Sequence, residues 1–144
     1  MTFIDASAMV AMLTDEPSGD HLAHVLARVQ ARGAEALTSA IAVFETTARL
    51  MSKSSLSGDE ARQTVADFLH AAQVRVVSIA QPEAKAALLA FERFGKGRHH
   101  ADLNMGDCFA YACAKVNGAS LLFIGNDFIH TDIADASNAL AGDP

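Results

Sequence analysis

At 144 residues and 15.1 kDa the chain has room for one ordinary domain, and 51% hydrophobic with 19% charged residues supply a core without a disulfide staple. An Ala- and Leu-rich composition with three prolines and no Trp excludes collagen-like and low-complexity chains and favours packed helices. The net charge of −6 disfavours a broad basic surface of the kind that grips nucleic acid.

The opening run Thr2-Phe3-Ile4-Asp5 predicts a short strand, followed by a helix to about Leu13 with Ser7 as its N-cap. Turn residues 14–20 lead to a second helix with Pro17 in its first turn, through Leu22, Val25, Leu26 and Val29, and Gly33 as its stop. Residues 36–38 predict a strand. Ser39 then caps a helix whose apolar face is read as Ile41, Phe44, Ala48 and Met51. Ser57 and Glu60 have capping-box spacing and open a helix with Val65, Phe68 and Leu69 inward.

The β-branched run 74–79 predicts a strand, and Pro82 starts a helix through Leu88, Leu89 and Phe91 to Phe94, ended by Gly95-Lys96-Gly97. A helix from about Asp107 to Val116 follows, then an apolar strand over 121–124, a turn at Gly125-Asn126-Asp127 and a last short strand at Ile133-Ala134. Residues from Asp135 onward read as a frayed tail. Strands alternating with helices predict a parallel sheet covered on both faces, with ligands at the carboxyl ends of the strands.

No apolar run reaches the ~18 residues of a membrane span. The first basic residue is Arg28, too late for a secretory signal, so a cytoplasmic location is expected. Cys108 and Cys113 are five apart on a predicted helix, turned ~140° from each other, which predicts reduced thiols rather than a bridge. His21 and His24 share a helix face without the further ligands of a zinc site. The glycine-rich phosphate and nucleophile-elbow motifs are absent.

Asp5 and Asp127 stand after strand candidates, Asp107 at a helix start where the dipole favours a carboxylate, and Glu45 in a helix beside residues read as buried. Such acids gathered at one sheet edge repel unless a cation sits between them, and oxygen-only ligands select hard ions such as Mg²⁺ or Mn²⁺. A cation held there could activate water against a phosphodiester. Four ligand carboxylates set against two divalent ions would leave −2 on the rest of the chain, so total charge does not decide against nucleic acid.

The stretches Phe3-Ile4-Asp5-Ala6-Ser7-Ala8, Phe44-Glu45, Leu103-Asn104-Met105-Gly106-Asp107 and Gly125-Asn126-Asp127-Phe128 with Thr131-Asp132-Ile133 occur in an order that resembles the PIN-domain ribonucleases, closest to the VapC-type toxins of bacterial toxin–antitoxin pairs. The resemblance implies a three-layer α/β/α fold around a short parallel sheet of four or five strands, with one nuclease domain over residues 1–135 and a tail over 136–144. It implies that Asp5, Glu45, Asp107 and Asp127 form the catalytic, metal-holding site for Mg²⁺, with Mn²⁺ as a substitute. It further implies RNA as substrate, a VapB-like antitoxin that supplies any DNA contact, and a homodimer. Arg98-His99-His100-Ala101-Asp102 departs from the family pattern at His100 and Asp102, which bears on loop shape and RNA preference.

Ser7 and Thr131 are expected to hydrogen-bond around the acids, or to act as local caps. Arg49, one turn after Glu45, and Lys96 and Arg98, in a basic stretch beside His99 and His100, are candidate RNA contacts; the competing reading is an ordinary solvated helix end. His130 is read as a loop residue rather than a general base. A phosphotransfer domain would also place an acid after the first strand, but the position two residues later holds Ser7 instead of a second Asp. A non-catalytic module on the same fold is the other alternative.

Overall fold

The computed structural model describes residues 1–138. Four strands, β1 (Thr2–Ile4), β2 (Ala36–Ser39), β3 (Val74–Val77) and β4 (Ser120–Leu122), form one parallel sheet in the order β3-β2-β1-β4. Phe3 registers against Leu37 on one side and Leu121 on the other. β1 and β2 are buried at every position because helices cover both faces. Phe3, Ile4, Leu37, Leu121 and Leu122 are fully buried, each stabilising the fold by ~1.5–3 kcal/mol.

Six helices connect the strands: α1 (Ala6–Leu13), α2 (Gly19–Ala31), α3 (Ala40–Lys53), α4 (Gly58–Ala71), α5 (Gln81–Phe94) and α6 (Met105–Val116). The chain steps from β1 outward to β2 and β3, then returns to β4 on the far side of β1. Right-handed crossovers put α1–α4 on one face and α5–α6 on the other. In keeping with this, α6 packs on β1, β2 and β4, and α5 packs on α6. The reversal of direction makes the carboxyl ends of β1 and β4 the switch point of the sheet, where such folds hold ligands.

Several local expectations change in the folded chain. Asp5, not Ser7, caps α1, because its carboxylate accepts the Ser7 N–H. Pro17 lies ahead of α2 rather than in its first turn. Gly33 does stop that helix region, in left-handed backbone at φ +80°. On α3 the buried stripe is Ala42, Thr46 and Leu50, whereas Phe44 is 73% exposed and Met51 is exposed. The shift follows from Thr46, whose hydroxyl donates to the Ala42 carbonyl at 2.7 Å and so enters the core without an unpaired group.

On α5 the small residues Ala87 and Ala90, with Phe94, make the contact face, which lets α5 lie close on α6; Leu88, Leu89 and Phe91 remain exposed. β4 ends at Leu122, before residues 123–124. The expected last strand at Ile133-Ala134 shrinks to a single bridge between Leu121 and Asp135, so the sheet has four strands. Asp135 is not frayed: Ala136 is fully buried and its N–H donates to the Leu121 carbonyl. The rest of the expected tail, residues 139–144, lies outside the described residues.

Candidate active site

The carboxyl edge of the sheet is built first around Asp5. It follows β1 directly and is 6% exposed. Its Oδ2 accepts the Ser7 backbone N–H at 3.1 Å and the Ser7 hydroxyl at 2.5 Å. The same Ser7 Oγ accepts the Ile124 N–H at 3.1 Å, so one hydroxyl ties the end of β1 to the segment after β4. Burial pushes the Asp5 carboxyl above its ordinary value, against the opposing pull of Ser7, the Ala6 N–H and the Arg49 charge.

Asp107 is the third residue of α6. Asn104 caps that helix: Asn104 Oδ1 accepts the Asp107 N–H at 2.9 Å, while Asp107 Oδ2 accepts the Asn104 N–H at 3.1 Å. This reciprocal pair fixes the carboxylate at the helix start. Burial first, and then the charges of Asp5, Asp127 and Glu45, raise it to about 7 against the opposing pull of the Asn104 N–H.

Glu45 reaches the group from α3. Its carboxylate lies against Gly106: a Cβ built on that glycine would come within 2.4 Å of Oε1 and 2.5 Å of Oε2. The residue before Asp107 must therefore lack a side chain for Glu45 to sit where it does. Burial and the Asp5 charge raise the Glu45 carboxyl, with Arg49 opposing. Asp127 completes the group from the turn after β4, at the head of a 3₁₀ turn (Phe128–His130).

All four acids, Ser7 and Arg49 line one polar cavity of about 260 Å³. Glu16 and Lys53, which pair with each other at 3.1 Å, extend its wall. Neither was legible from local sequence, since 37 residues separate them and only folding brings α3 against the turn before α2. Asn104 and Gly106 were visible only as parts of the motif around Asp107, without their roles. Among the described residues no group of three His, Cys, Asp or Glu side chains is drawn tightly enough to cage a metal ion by itself.

Three expected site residues fall elsewhere. Thr131 is a local cap: its hydroxyl donates to the Phe128 carbonyl at 2.7 Å and accepts the Ile133 N–H at 3.3 Å. Lys96 and Arg98 lie on the α5–α6 loop and do not line the cavity. The Lys96 N–H donates to the Leu103 carbonyl, and the Arg98 guanidinium stands 5.9 Å from the centre of the Phe91 ring. Cys108 and Cys113 are free and buried. Among the described residues no helix is long and apolar enough to cross a membrane.

Another acid, Asp132, is treated differently. It accepts the Tyr111 hydroxyl at 2.5 Å and Lys115 Nζ at 3.2 Å, and Arg93 stands 3.9 Å away. Partial burial pushes it up, but Tyr111 and Lys115 outweigh that and hold it below the usual carboxylate value.

The acids line the strand-order switch point of the sheet, and the PIN-domain family model matches residues 2–134. Over 131 residues the chain is 44% identical to Ribonuclease VapC of Mycolicibacterium smegmatis, covering 91% of this chain and 96% of that protein. It is 41% identical to Ribonuclease VapC30 of Mycobacterium tuberculosis, over 91% of this chain and 95% of the relative. A VapC ribonuclease of Rhizobium meliloti is 37% identical, over 92% and 99%. The chain belongs to the VapC ribonuclease toxins of the PIN-domain family. The fold also matches the crystal structure of Mycobacterium tuberculosis VapC20, described as a Sarcin-Ricin loop cleaving toxin, with a TM-score of 0.70, 18% identity and coverage of 93% of this chain and 97% of that one.

Proposed function

We propose that the protein hydrolyses RNA phosphodiester bonds at the carboxylate cavity, with Asp5, Glu45, Asp107 and Asp127 holding Mg²⁺ or, in its place, Mn²⁺. The observation that carries the reading is the seat of Glu45 on Gly106, which brings a carboxylate from α3 against the residue preceding Asp107, in a cavity shared with Asp5 and Asp127. The donors are all oxygen, the chemistry that hard divalent ions take. Mg²⁺ keeps several waters and takes few protein ligands, so a site without a preformed cage suits it. When bound, the ion would supply Lewis-acid polarisation of the phosphodiester and a lowered pKa for water.

The chain's own residues then have separable tasks. Ser7 holds Asp5 and joins the two strand ends, and Asn104 orients Asp107 through the helix cap. Arg49, on the cavity wall, is placed to meet a phosphate; Lys96 and Arg98 would contact RNA further along the α5–α6 loop. One domain over residues 1–135 suffices for these tasks. A phosphotransfer or non-catalytic reading has no observation in its favour, since Ser7 is already committed to Asp5 and Ile124.

A VapB-like antitoxin with an Arg or Lys aimed into the cavity would neutralise the acids and exclude RNA together, leaving DNA contact to the antitoxin. For the homodimer, the α2 face is unavailable, because Leu22, Val25, Leu26 and Val29 are used in the chain's own core. Exposed Phe44 and Met51 on α3 remain as apolar contacts. Cleavage of RNA with Mg²⁺ present should leave 5′-phosphate and 3′-hydroxyl ends and stop in excess chelator. Cyclic phosphate ends, or full activity in chelator, would overturn the reading.

A further inference from the structure

Three imidazoles from two separate segments of the chain meet at the surface. The His99 and His100 rings stack with centroids 4.1 Å apart and planes 29° apart, and the His130 ring meets His100 at 4.5 Å. His99 is the anchored member: its Nδ1 accepts the Ala101 N–H at 3.0 Å, which requires a lone pair there, and its ring meets Phe94 edge-on at 5.3 Å. The rings do not themselves line the carboxylate cavity, but each segment runs into it through a neighbouring residue. Asn104 follows His100 by four residues, and Asp127 opens the 3₁₀ turn that His130 closes.

His100 and His130 are exposed and, among the described residues, make no hydrogen bond or ion pair; their contacts are with other rings. Charge pairing therefore does not explain their place. Two exposed rings on a base, His99, that is itself packed against Phe94 are the elements of a stacking platform. Unpaired RNA bases are recognised in this way, by stacking on aromatic side chains that include histidine.

We propose that His100 and His130, supported by His99, form a stacking subsite for one unpaired RNA base next to the bond cut in the carboxylate cavity, and so help to set which RNA is cleaved. The proposal rests on the cavity being the cleavage site. A base seated on the rings fixes the register of the strand relative to the acids, and it requires the flanking nucleotide to be unstacked, which favours loops over duplex. His100 and His130 act here through their ring faces and take no part in the chemistry.

The test uses a single-stranded oligoribonucleotide carrying 2-aminopurine, whose fluorescence is quenched on stacking, placed in turn at each position around the cut. Binding is measured on the Asp107→Asn protein so that the strand stays intact, and kcat and KM are measured with the native acids. His100→Ala and His130→Ala should each weaken binding about five- to tenfold, raise KM with kcat nearly unchanged, and abolish quenching at one register. His100→Phe should restore the affinity and the quenching. Equal affinity and quenching in all variants would overturn the proposal, as would a loss in His100→Ala that Phe does not rescue. If Asp107→Asn still cut the strand, the cleavage-site reading would fail, while stopped-flow quenching recorded before cutting would still decide whether a base stacks on the rings.

Discussion

Helix α6 contributes to both the carboxylate cavity, through Asp107, and the Asp132 cluster, through Tyr111 and Lys115, and the protein treats their acids in opposite ways. Asp132 is given a tyrosine hydroxyl and two cationic neighbours, and its carboxyl is held low. Asp5, Glu45 and Asp107 are given one guanidinium, Arg49, among several carboxylates, and all three are held high. Lys53, on the same wall, is paired with Glu16, and gathering the four acids around Arg49 destabilises the fold unless something outside the chain supplies further positive charge. Under the proposed function, the difference separates acids that hold the structure together from acids that meet a ligand.

The largest effect should come from neutralising the reserved acids. Asp5→Asn and Asp107→Asn are each expected to lower turnover about 100-fold or more while the protein stays folded, since both remove charge without changing shape. An RNA cleavage assay with circular dichroism on the same samples checks this. Gly106→Val comes next. Its side chain would displace the Glu45 carboxylate, and the expected result is a loss of about 10- to 100-fold in activity with a higher Mg²⁺ requirement, measured by metal titration of the cleavage rate.

Stability against pH should separate the two acid groups by sign. The folded protein holds the Asp107 proton up to about 7, against 3.8 for the free group, so metal-free stability falls as pH rises between about 4 and about 7. Asp107→Asn should therefore raise the thermal midpoint of the chelated protein by a few degrees at pH 8, with the gain vanishing toward pH 4. Asp132 is lowered instead; its contribution is present above its unfolded value of 3.8 and is lost as pH falls through the folded one. The smallest effect belongs to Tyr111→Phe, which removes one hydrogen bond to Asp132. It should cost about 0.5–1.5 kcal/mol in denaturant melts and leave cleavage within about twofold.

Legibility in the sequence followed the range of the interaction. Asp5 and Asp127 could be read because a short apolar strand ending in an acid is a local pattern, and Asp107 because helix starts favour carboxylates. Glu45 stood out as a charge among apolar neighbours, although one of them, Phe44, proved to be exposed. The α3 face was misread because hydropathy assigns Thr46 to solvent, whereas a bond to its own helix carries it into the core.

Other features had no local signal. The Glu16–Lys53 pair, the seat of Glu45 on Gly106 and the meeting of His100 with His130 each join residues brought together only by folding. For Thr131 two readings stood open, a bond around the acids or a local cap, and its bonds close its own turn. Spacing can nominate a residue for a site, but the hydrogen bond it makes decides whether it belongs there.

The central claim is that the gathered acids await a divalent cation, and Mn²⁺ binding at pH 7 tests it most directly. Calorimetric titrations of the native protein, Asp107→Asn and Asp132→Asn in two buffers of different ionisation enthalpy give both affinity and protons released. The account predicts that the native protein and Asp132→Asn bind Mn²⁺ alike and release a substantial fraction of a proton, because Asp107 is part-protonated near pH 7, whereas Asp107→Asn binds more weakly and releases much less. Equal binding and equal proton release in all three proteins would contradict it.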